Sequence, residues 1–477
     1  MNQDKKRAVV IAGKRFMPPF NLTLAGDDEL LECTDLLRLV PGKRAVLLGK
    51  WCGKPVVIKL FYKRFRAEKH LEMETEGNRL LKKNGIPTAE IVFSGSVREG
   101  RAKALLFEYI HPSENLGAVL DSSRDSSQCR GYLTKLMILL ARMHEAGLQH
   151  NDLHLDNFIV KDNELYALDG SALENKHRNA PLDTGASLKN MAILFAQRNL
   201  RERALFMELV SAYCAARNLK NTDELVSTLQ RRIKEMRKFS TSRYLKKIYR
   251  ASTETICIKS FTSFTLCKRV CYTPAMASFL KDPDVAFNVP GTAMLKNGNT
   301  ATVVRFKVDG QDLVVKRYNV KNPVHGLRLA FKKSRADRSW FGAHLLLEYG
   351  IRTPKPIAMK ELRLGPFRSR AYLICDYIEG ISAREHFQDH PSKDKNDLPQ
   401  QILHIFERLE FLRVSHGDMK ATNIMIHDGK AFLIDLDSMT VHKGKARFAR
   451  ARSKDVKRFM KNWAEKPRVA SFFSLLK

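Results

Sequence analysis

The chain has 477 residues, which is too many for one ordinary domain of about 150 residues, so we expect two or three domains. Hydrophobic residues make up 44% of the chain, enough for sizeable buried cores, which excludes a disordered polymer. The formal net charge of +32 favours a polyanionic partner: nucleic acid, an anionic membrane surface or a phosphorylated substrate. No window approaches the roughly 18–20 consecutive apolar residues of a membrane span, so we expect a cytoplasmic protein.

Strand signals occur twice along the chain in the same order. A β-branched run that ends in Lys lies at 56–59, and a similar one lies at 314–316. The segments NGIPTAEIVFSG (from Asn84) and YGIRTPKPIAM (from Tyr349) follow, and then the strand-like runs LLFEYI (from Leu105) and YLICDYI (from Tyr372). The common order indicates that two parts of the chain share one architecture.

An apolar stripe follows each group of strands. Its i, i+3, i+4, i+7 spacing predicts a helix in both copies. The stripes consist of Leu133, Leu136, Met137, Leu140 and Met143 in the first copy and Ile402, Ile405, Phe406, Leu409 and Leu412 in the second. We expect both stripes to face a core.

The most informative feature is a repeated motif. Residues 150–169 read HNDLHLDNFIVKDNELYALD, and residues 416–435 read HGDMKATNIMIHDGKAFLID. At an offset of 266 the four equivalent pairs are His150 and His416, Asp152 and Asp418, Asn157 and Asn423, and Asp169 and Asp435. A chance match is of order one in many thousands at ordinary amino-acid usage. The motif therefore predicts two copies of one domain, each with an acidic hairpin after its loop.

The repeat contains the groups that phosphoryl transfer requires, beginning with a cation and a base. Lys59 and Lys316 end strands, from which an ammonium group can reach the α- and β-phosphates of a nucleotide. Asp152 and Asp418 lie in the His-x-Asp loop, where a carboxylate can accept the proton of a substrate hydroxyl.

Magnesium ligands complete this set. Asn157 and Asn423 come five residues after the loop aspartate, so one loop can present both groups. Asp169 and Asp435 end the following strand, where a carboxylate can hold Mg²⁺ between phosphates.

The pattern H-[GN]-D-x4-N-x11-D behind a strand Lys resembles the protein-kinase-like superfamily. The copies lack the DFG and APE segments of eukaryotic protein kinases and read LDG and IDLD instead. The stretch RADRSWFGAHLLLEYGIRTPKPIA, from Arg335, is similar to the bacterial lipopolysaccharide core kinases, which phosphorylate heptose or Kdo of the inner core. The resemblance covers most of residues 35–200 and 290–460.

The resemblance implies an α+β fold with two tandem protein-kinase-like bilobal domains. Each would have a small β-rich N-lobe and a helical C-lobe. We expect the first domain, with an N-terminal extension, at 1–240, a basic linker at 241–285 and the second domain at 286–477. The linker is expected because residues 231–269 hold twelve basic residues and only two acidic ones.

Roles carried over from the family fall on matching positions. Lys59 and Lys316 would bind phosphates, Asp152 and Asp418 would be catalytic, and Asn157, Asp169, Asn423 and Asp435 would bind Mg²⁺. The hinge that binds adenine would lie at Glu108 and Tyr109 in the first copy and at Asp376 and Tyr377 in the second.

The two copies depart from the family pattern in different places. Glu76 is expected to be the helical partner of Lys59, but Trp340 and Phe341 stand at its place in the second copy, where Lys316 lacks this Glu or finds another partner. Glycine-rich loops are poor: the first copy has Gly42 or Gly49 with Gly53, and the second has Gly298.

Other charged residues near the motifs have more than one interpretation. Lys420, whose place His154 takes in the first copy, would stabilise the charge of the transferring phosphoryl group. Asp437 is either a second metal ligand or, as we expect, a solvated or capping residue. Asp455 is expected to be structural.

We therefore expect an ATP-dependent, Mg²⁺-dependent kinase of a sugar hydroxyl in the lipopolysaccharide inner core. It would work at the cytoplasmic face of the inner membrane, as a peripheral protein whose net charge suits an anionic glycolipid surface. The alternatives are a soluble kinase of the aminoglycoside or choline type and a pseudokinase scaffold with one or both domains inactive. Nucleic-acid binding rests on charge alone and is not expected. The sequence leaves the oligomeric state open.

Overall fold

The computed structural model describes residues 9–11, 14–26, 29–40, 42–63, 65–98, 100, 102–122, 126–175, 180–197, 203–289, 292–319, 333–389 and 397–476. The chain divides into two compact units, Met1–Ser242 and Arg243–Lys477. Each unit combines helices with sheets. The mixed α and β composition that the sequence predicted is confirmed.

The first unit contains six helices and thirteen strands among its described residues. The helices are Ala67–Lys83 (α1), Leu116–Ser122 (α2), Ser126–Glu145 (α3), Thr184–Gln197 (α4), Arg203–Ala216 (α5) and Asp223–Lys247 (α6), of which the last runs on past Ser242. The strands are Val9–Ile11 (β1), Lys14–Phe16 (β2), Phe20–Thr23 (β3), Leu30–Val40 (β4), Arg44–Trp51 (β5), Lys54–Phe61 (β6), Ile91–Ser96 (β7), Lys103–Glu108 (β8), Glu114–Asn115 (β9), Gln149–His150 (β10), Phe158–Lys161 (β11), Glu164–Ala167 (β12) and Leu173–Glu174 (β13).

The second unit has the following elements. Its helices are Pro274–Phe279 (α7), Val285–Asn288 (α8), Arg335–Glu348 (α9), Ala383–Asp389 (α10), Leu398–Leu412 (α11), Lys445–Met460 (α12) and Pro467–Phe472 (α13). Its strands are Thr255–Lys259 (β14), Ser263–Lys268 (β15), Ala293–Asn297 (β16), Ala301–Val308 (β17), Gln311–Tyr318 (β18), Pro356–Leu364 (β19), Phe367–Asp376 (β20), Ile381–Ser382 (β21), Val414–Ser415 (β22), Ile424–His427 (β23), Lys430–Leu433 (β24) and Thr440–Val441 (β25).

The sheets of the two units follow the same plan. The first unit has a six-stranded antiparallel sheet in the order β3-β4-β5-β6-β8-β7, and the second has a seven-stranded one in the order β14-β15-β19-β20-β18-β17-β16. Both units then form a three-stranded sheet, β12-β11-β9 and β21-β23-β24, and a two-stranded sheet, β10-β13 and β22-β25. The acidic hairpins predicted after each loop are β11-β12 and β23-β24.

Strand alternation decides where each lysine points. On β6, Val56, Ile58 and Leu60 enter one core, whereas Lys59 lies on the opposite face, which packs on α1 through Phe61. On β18, Val315 enters one core while Lys316 lies on the face that packs on α9. The period of two therefore places both lysines between the large sheet and its helix.

The predicted helical stripes pack as expected. Leu133, Leu136, Met137, Leu140 and Met143 are buried on α3 in the helical core of the first unit. On α11, Ile402, Ile405, Phe406 and Leu409 are buried in the corresponding core of the second unit, with Leu412 packed against them. Glycines end the helices beside the two large sheets, since Gly85 (φ 66°) and Gly350 (φ 68°) are left-handed.

The structure differs from the basic linker expected at 241–285. Within this stretch, β14 pairs with β15, and β15 pairs with β19 of the large sheet. Leu266 and Cys267 are buried. Because these residues are buried on the large sheet, residues 255–268 belong to the second unit. The high positive charge of the segment had indicated a linker instead. Within the described residues, no helix is both long enough and apolar enough to cross a membrane.

Helix α1 lies against the backbone of a 3₁₀ turn, Gly170–Ala172, that follows Asp169. A Cβ atom on Gly77 would come within 1.9 Å of the carbonyl oxygen of Gly170. Only a residue without a side chain permits this approach, because the obstacle is backbone and cannot rotate away.

We predict that Gly77→Ala destabilises the first unit by about 1–3 kcal/mol, because the added methyl group overpacks a backbone contact. Gly131→Ala is the matched control, since Gly131 also lies inside a helix and its Cβ would meet no atom within 4 Å. The control should be neutral or more stable by up to about 1 kcal/mol. Urea unfolding of the three proteins measures the difference, and equal midpoints for the two variants would contradict the predicted contact.

Candidate active site

The His-x-Asp loop closes in the same way in both units. The side-chain amide of Asn157 donates to the carbonyl oxygen of Asp152 at 2.7 Å. Asn423 donates to the carbonyl oxygen of Asp418, also at 2.7 Å. The spacing of five residues therefore brings the loop aspartate and the asparagine together, and the amide oxygen of the asparagine does not take part in this bond.

In each unit, a buried polar side chain on a later helix forms hydrogen bonds with the backbone of this loop. In the second unit, the Asp455 carboxylate on α12 accepts from the backbone N–H of His416 at 2.7 Å and of Gly417 at 3.0 Å. In the first unit, the side chain of Asn190 on α4 donates to the carbonyl oxygen of His150 at 2.8 Å. Asp455 thus has the structural role expected, and Asn190 is its counterpart, which sequence reasoning missed.

The two loop aspartates have different neighbours. Asp152 contacts His154 Nε2 at 3.1 Å, and this hydrogen bond lowers the pKa of the Asp152 carboxyl. Asp418 contacts two cations, Lys420 and Arg458, each at 3.1 Å. Arg458 was not found from the sequence, because it reaches the loop from α12.

The aspartates after the hairpins share an unusual backbone conformation. Asp169 (φ 62°) and Asp435 (φ 61°) are both left-handed, and Asp435 forms an ion pair with Lys316. Burial alone would raise the pKa of Asp169, but Lys59, the hydroxyl of Ser171 and Arg44 outweigh it and hold the pKa well below its usual range. The pKa of Asp435 is likewise lowered, since the charge of Lys316 outweighs burial.

This donor set fits Mg²⁺. One ionised carboxylate and one amide oxygen per unit suit a cation that keeps waters and takes its other ligands from phosphates. Across the described ranges, three or more His, Cys, Asp or Glu side chains nowhere gather as an all-protein metal site. The residues that would hold the ion are Asn157 with Asp169 and Asn423 with Asp435.

Lys59 pairs with Glu74 and not with Glu76, so the expected partner is wrong. Glu74 is almost fully buried, forms an ion pair with Lys59 and accepts from the backbone N–H of Gly170 at 2.9 Å. Glu76 is exposed and pairs with Arg79 at 2.7 Å. Two residues along a helix correspond to a rotation of about 200°, so Glu76 points away from the sheet. Glu74 lies on the buried stripe with Leu71, a signal that the sequence contained.

Lys316 finds its partners in the loop after the hairpin. It forms an ion pair with Asp435, and its Nζ lies 3.2 Å from Asp437. The sequence interpretation of Asp437 as solvated or capping is wrong, because its side chain is only 4% exposed and also pairs with Arg335. Trp340, which stands where the sequence predicted the missing Glu, is fully buried in the core.

An apolar cleft of about 250 Å³ lies beside Lys59 in the first unit. Its lining includes the predicted residues Lys59, Glu108, Tyr109 and Asp169 together with apolar side chains such as Val57 and Phe107. A cleft with an apolar end and a charged end matches a nucleotide, whose base is flat and whose phosphates are anionic.

The corresponding hinge of the second unit carries polar contacts. Asp376 accepts from the side-chain amide of Gln311 at 2.9 Å. The guanidinium of Arg305 lies 4.1 Å from the ring centre of Tyr377. These contacts fix the end of β20 where the resemblance places adenine.

The turns that precede β5 and β17 contain one glycine each, Gly42 and Gly298. Gly298 lies between β16 and β17, where its backbone N–H donates to the carbonyl oxygen of Ala301 at 3.1 Å. Gly42 takes the equivalent place between β4 and β5 and is left-handed (φ 69°). A cation next to each turn acts on the nearby aspartate: Arg44 lies 3.9 Å from Asp169, and Lys296 lowers the pKa of Asp435.

Comparison with known families identifies the group to which this site belongs. Residues 59–178 and 290–470 match the lipopolysaccharide kinase (Kdo/WaaP) family. The chain belongs to this family. The two matches cover more than half of the chain, and each contains a lysine, a loop aspartate, an asparagine and a final aspartate. The family assigns the chain to the phosphotransferases that act on a sugar hydroxyl of lipopolysaccharide. None of the individually curated proteins matches it.

We predict that Glu74→Gln lowers phosphate transfer by the first unit by about 10²-fold, because Lys59 loses the charge that positions it. Glu76→Gln is the matched control and should leave transfer unchanged, since Glu76 is exposed. Both variants are compared in a chain with Asp418→Ala, so that the second unit is silenced. Equal losses in the two variants would show that Glu74 is not the partner.

A buried histidine, His144, is connected to the His-x-Asp loop of the first unit through Asn190. His144 Nδ1 lies 2.7 Å from the hydroxyl of Tyr213, and Nε2 lies 3.0 Å from Asn190 Oδ1. Burial lowers the pKa of His144 to about 4, so the ring is neutral at pH 7. The network connects this ring to the asparagine that holds His150.

We predict that the first unit loses stability as the pH falls from about 6.5 to 4. In that pH range, His144 binds a proton in the unfolded chain but not in the folded one. This difference lowers the free energy of unfolding by about 1.4 kcal/mol per pH unit and roughly 3 kcal/mol in all. Urea unfolding from pH 7 to 4 measures this slope. His144→Gln removes the titrating group and should flatten the slope by the same amount; parallel slopes would contradict the assignment.

Proposed function

We propose that each unit is a protein-kinase-like bilobal domain that transfers the γ-phosphate of ATP to a sugar hydroxyl of the lipopolysaccharide inner core. The observation that carries this proposal is a set of contacts common to both units: the asparagine closes the loop of the aspartate, and the charge of the strand lysine acts on the final aspartate. A unit that had lost its function would be under no constraint to keep all four groups.

In this proposal the loop aspartates are the catalytic bases. Asp152 or Asp418 accepts the proton of the acceptor hydroxyl while the hydroxyl oxygen attacks the γ-phosphorus and the bond to the β-phosphate oxygen breaks. Lys59 and Lys316 bind the phosphates of ATP. Lys420 lies beside Asp418 and is placed to stabilise the charge on the transferring group.

Magnesium would be held by the asparagine and the final aspartate of each unit. When bound, it neutralises charge on the phosphates. Asp169 and Asp435 suit this role because neighbouring cations lower their pKa values and so offset the effect of burial. Adenine would lie in the apolar part of the cleft, next to Glu108 and Tyr109 in the first unit, and beside Asp376 and Tyr377 in the second.

The charge of the chain supports work at an anionic surface. The net charge is +32, and helix α12 carries seven Lys or Arg residues and one Asp. Phosphorylated glycolipids attract such a surface over a distance of about 10 Å at moderate salt. We propose peripheral association with the cytoplasmic face of the inner membrane, where the inner core would be presented.

We predict that Asp152→Ala and Asp418→Ala each lower transfer by the altered unit by about 10²–10⁴-fold, since each removes a catalytic base. Transfer of labelled phosphate from Mg·ATP to purified inner-core lipopolysaccharide measures this, with analysis of which sugar position is labelled. Loss of a different product in each variant would support two active units, and complete loss in one variant alone would restrict catalysis to that unit.

Asp162→Asn and Asp428→Asn are the matched controls, because both residues lie in the hairpin turns that follow the loops and have the left-handed backbone that Asn tolerates. They should retain normal transfer. A native chain that hydrolyses ATP but labels no glycolipid would overturn the acceptor, and a chain that neither binds nor consumes ATP would overturn the kinase proposal in favour of a scaffold.

A further inference from the structure

The helix position that supplies the lysine partner in the first unit is a serine in the second. Glu74 precedes the closely packed Gly77 by three residues, and Ser339 precedes Gly342 by three residues. Both positions also precede the helix-ending glycine, Gly85 or Gly350, by eleven residues. Ser339 is buried, and its hydroxyl lies 3.1 Å from the hydroxyl of Tyr318.

The loop shows the opposite exchange. Two residues after Asp169 stands Ser171, whose hydroxyl donates to the Asp169 carboxylate at 2.7 Å. Two residues after Asp435 stands Asp437, which lies 3.2 Å from Lys316 Nζ. The carboxylate and the hydroxyl have therefore changed places between helix and loop.

Asp437 also makes the connection to the helix that Glu74 makes in the first unit. Glu74 joins α1 to the loop through the backbone N–H of Gly170. Asp437 joins the loop to α9 through its ion pair with Arg335. His70 takes the place of Arg335 in the first unit and stacks on Phe61, 6.3 Å between ring centres.

The exchange preserves the kinds of ionisable group around each lysine. The lysine, two carboxylates and one arginine form each cluster: Lys59, Glu74, Asp169 and Arg44 in the first unit, and Lys316, Asp437, Asp435 and Arg335 in the second. A buried lysine requires compensating carboxylates, because leaving either charge unpaired costs several kcal/mol. Both arrangements satisfy that requirement.

We propose that Asp437 is the positioning residue for Lys316 and that it replaces the helix glutamate of the first unit. The second unit is then a competent phosphotransferase although its helix carries no such glutamate. This inference rests on the proposed function in one respect, namely that Lys316 binds the phosphates of ATP.

The test uses the full chain with Asp152→Ala, so that transfer to inner-core lipopolysaccharide reports the second unit alone. Asp437→Ser should lower kcat by about 10²-fold, because misplacing the lysine by about 1 Å has an effect of this size. Adding Ser339→Glu and Tyr318→Phe copies the residues of the first unit, Glu74 and Phe61, and should restore kcat to within about tenfold of the starting chain.

Two further measurements separate positioning from stability and from the proposed function. Thermal unfolding of the Asp437→Ser chain and of the restored chain should show that the changes in kcat do not parallel changes in the unfolding temperature. Titration calorimetry with Mg·ATP should show one of two nucleotide sites weakened in Asp437→Ser and recovered in the restored chain.

The outcomes are distinct. A kcat in Asp437→Ser within threefold of the starting chain, or no recovery on adding Ser339→Glu and Tyr318→Phe, overturns the positioning role. If the starting chain transfers no phosphate, the proposed function of the second unit fails. Calorimetry then decides the positioning role: loss and recovery of one site supports it, and equal titrations overturn it.

Discussion

The constraint on which both sites depend is the burial of a lysine ammonium group between a sheet and a helix. Such a charge is stable away from water only beside carboxylates, so each lysine fixes the position of the groups around it. Lys59 forms an ion pair with Glu74 of α1, and Lys316 forms ion pairs with Asp435 and Asp437 of the loop after the hairpin. This cluster connects the large sheet, the helix and the loop of each unit, in addition to the apolar cores between sheet and helix.

The His-x-Asp loops depend on a second kind of contact, between backbone polar groups and a buried side chain. Asp455 accepts from the backbone N–H groups of His416 and Gly417, whereas the side-chain amide of Asn190 donates to the carbonyl oxygen of His150. A hydrogen bond to an ionised carboxylate is stronger than one between neutral groups. The loop of the second unit is therefore held by a charged anchor, and that of the first by an anchor that belongs to a neutral network with His144.

The surroundings of the loop aspartates separate the two units chemically. Asp152 is in contact with His154, whereas Asp418 is in contact with both Lys420 and Arg458. Two permanent cations stabilise negative charge on and near Asp418 at every physiological pH, while a histidine does so only when protonated. The two copies of the motif therefore lie in two different electrostatic settings within one chain.

The sequence by itself determined the repeat, the strands with their lysines, the helical stripes and the loop from Asp152 to Asn157. These features are local: alternation and helical period act over a few residues, and the loop closes over five residues through one hydrogen bond. The tertiary structure alone decided which carboxylate each lysine meets. Lys316 and Asp437 are in contact although they lie 121 positions apart in the chain. The helical rotation of α1 directs Glu74 towards Lys59, whereas Glu76 pairs with Arg79. It also decided that residues 255–268 pair with the large sheet, because partner strands are chosen by packing and not by charge.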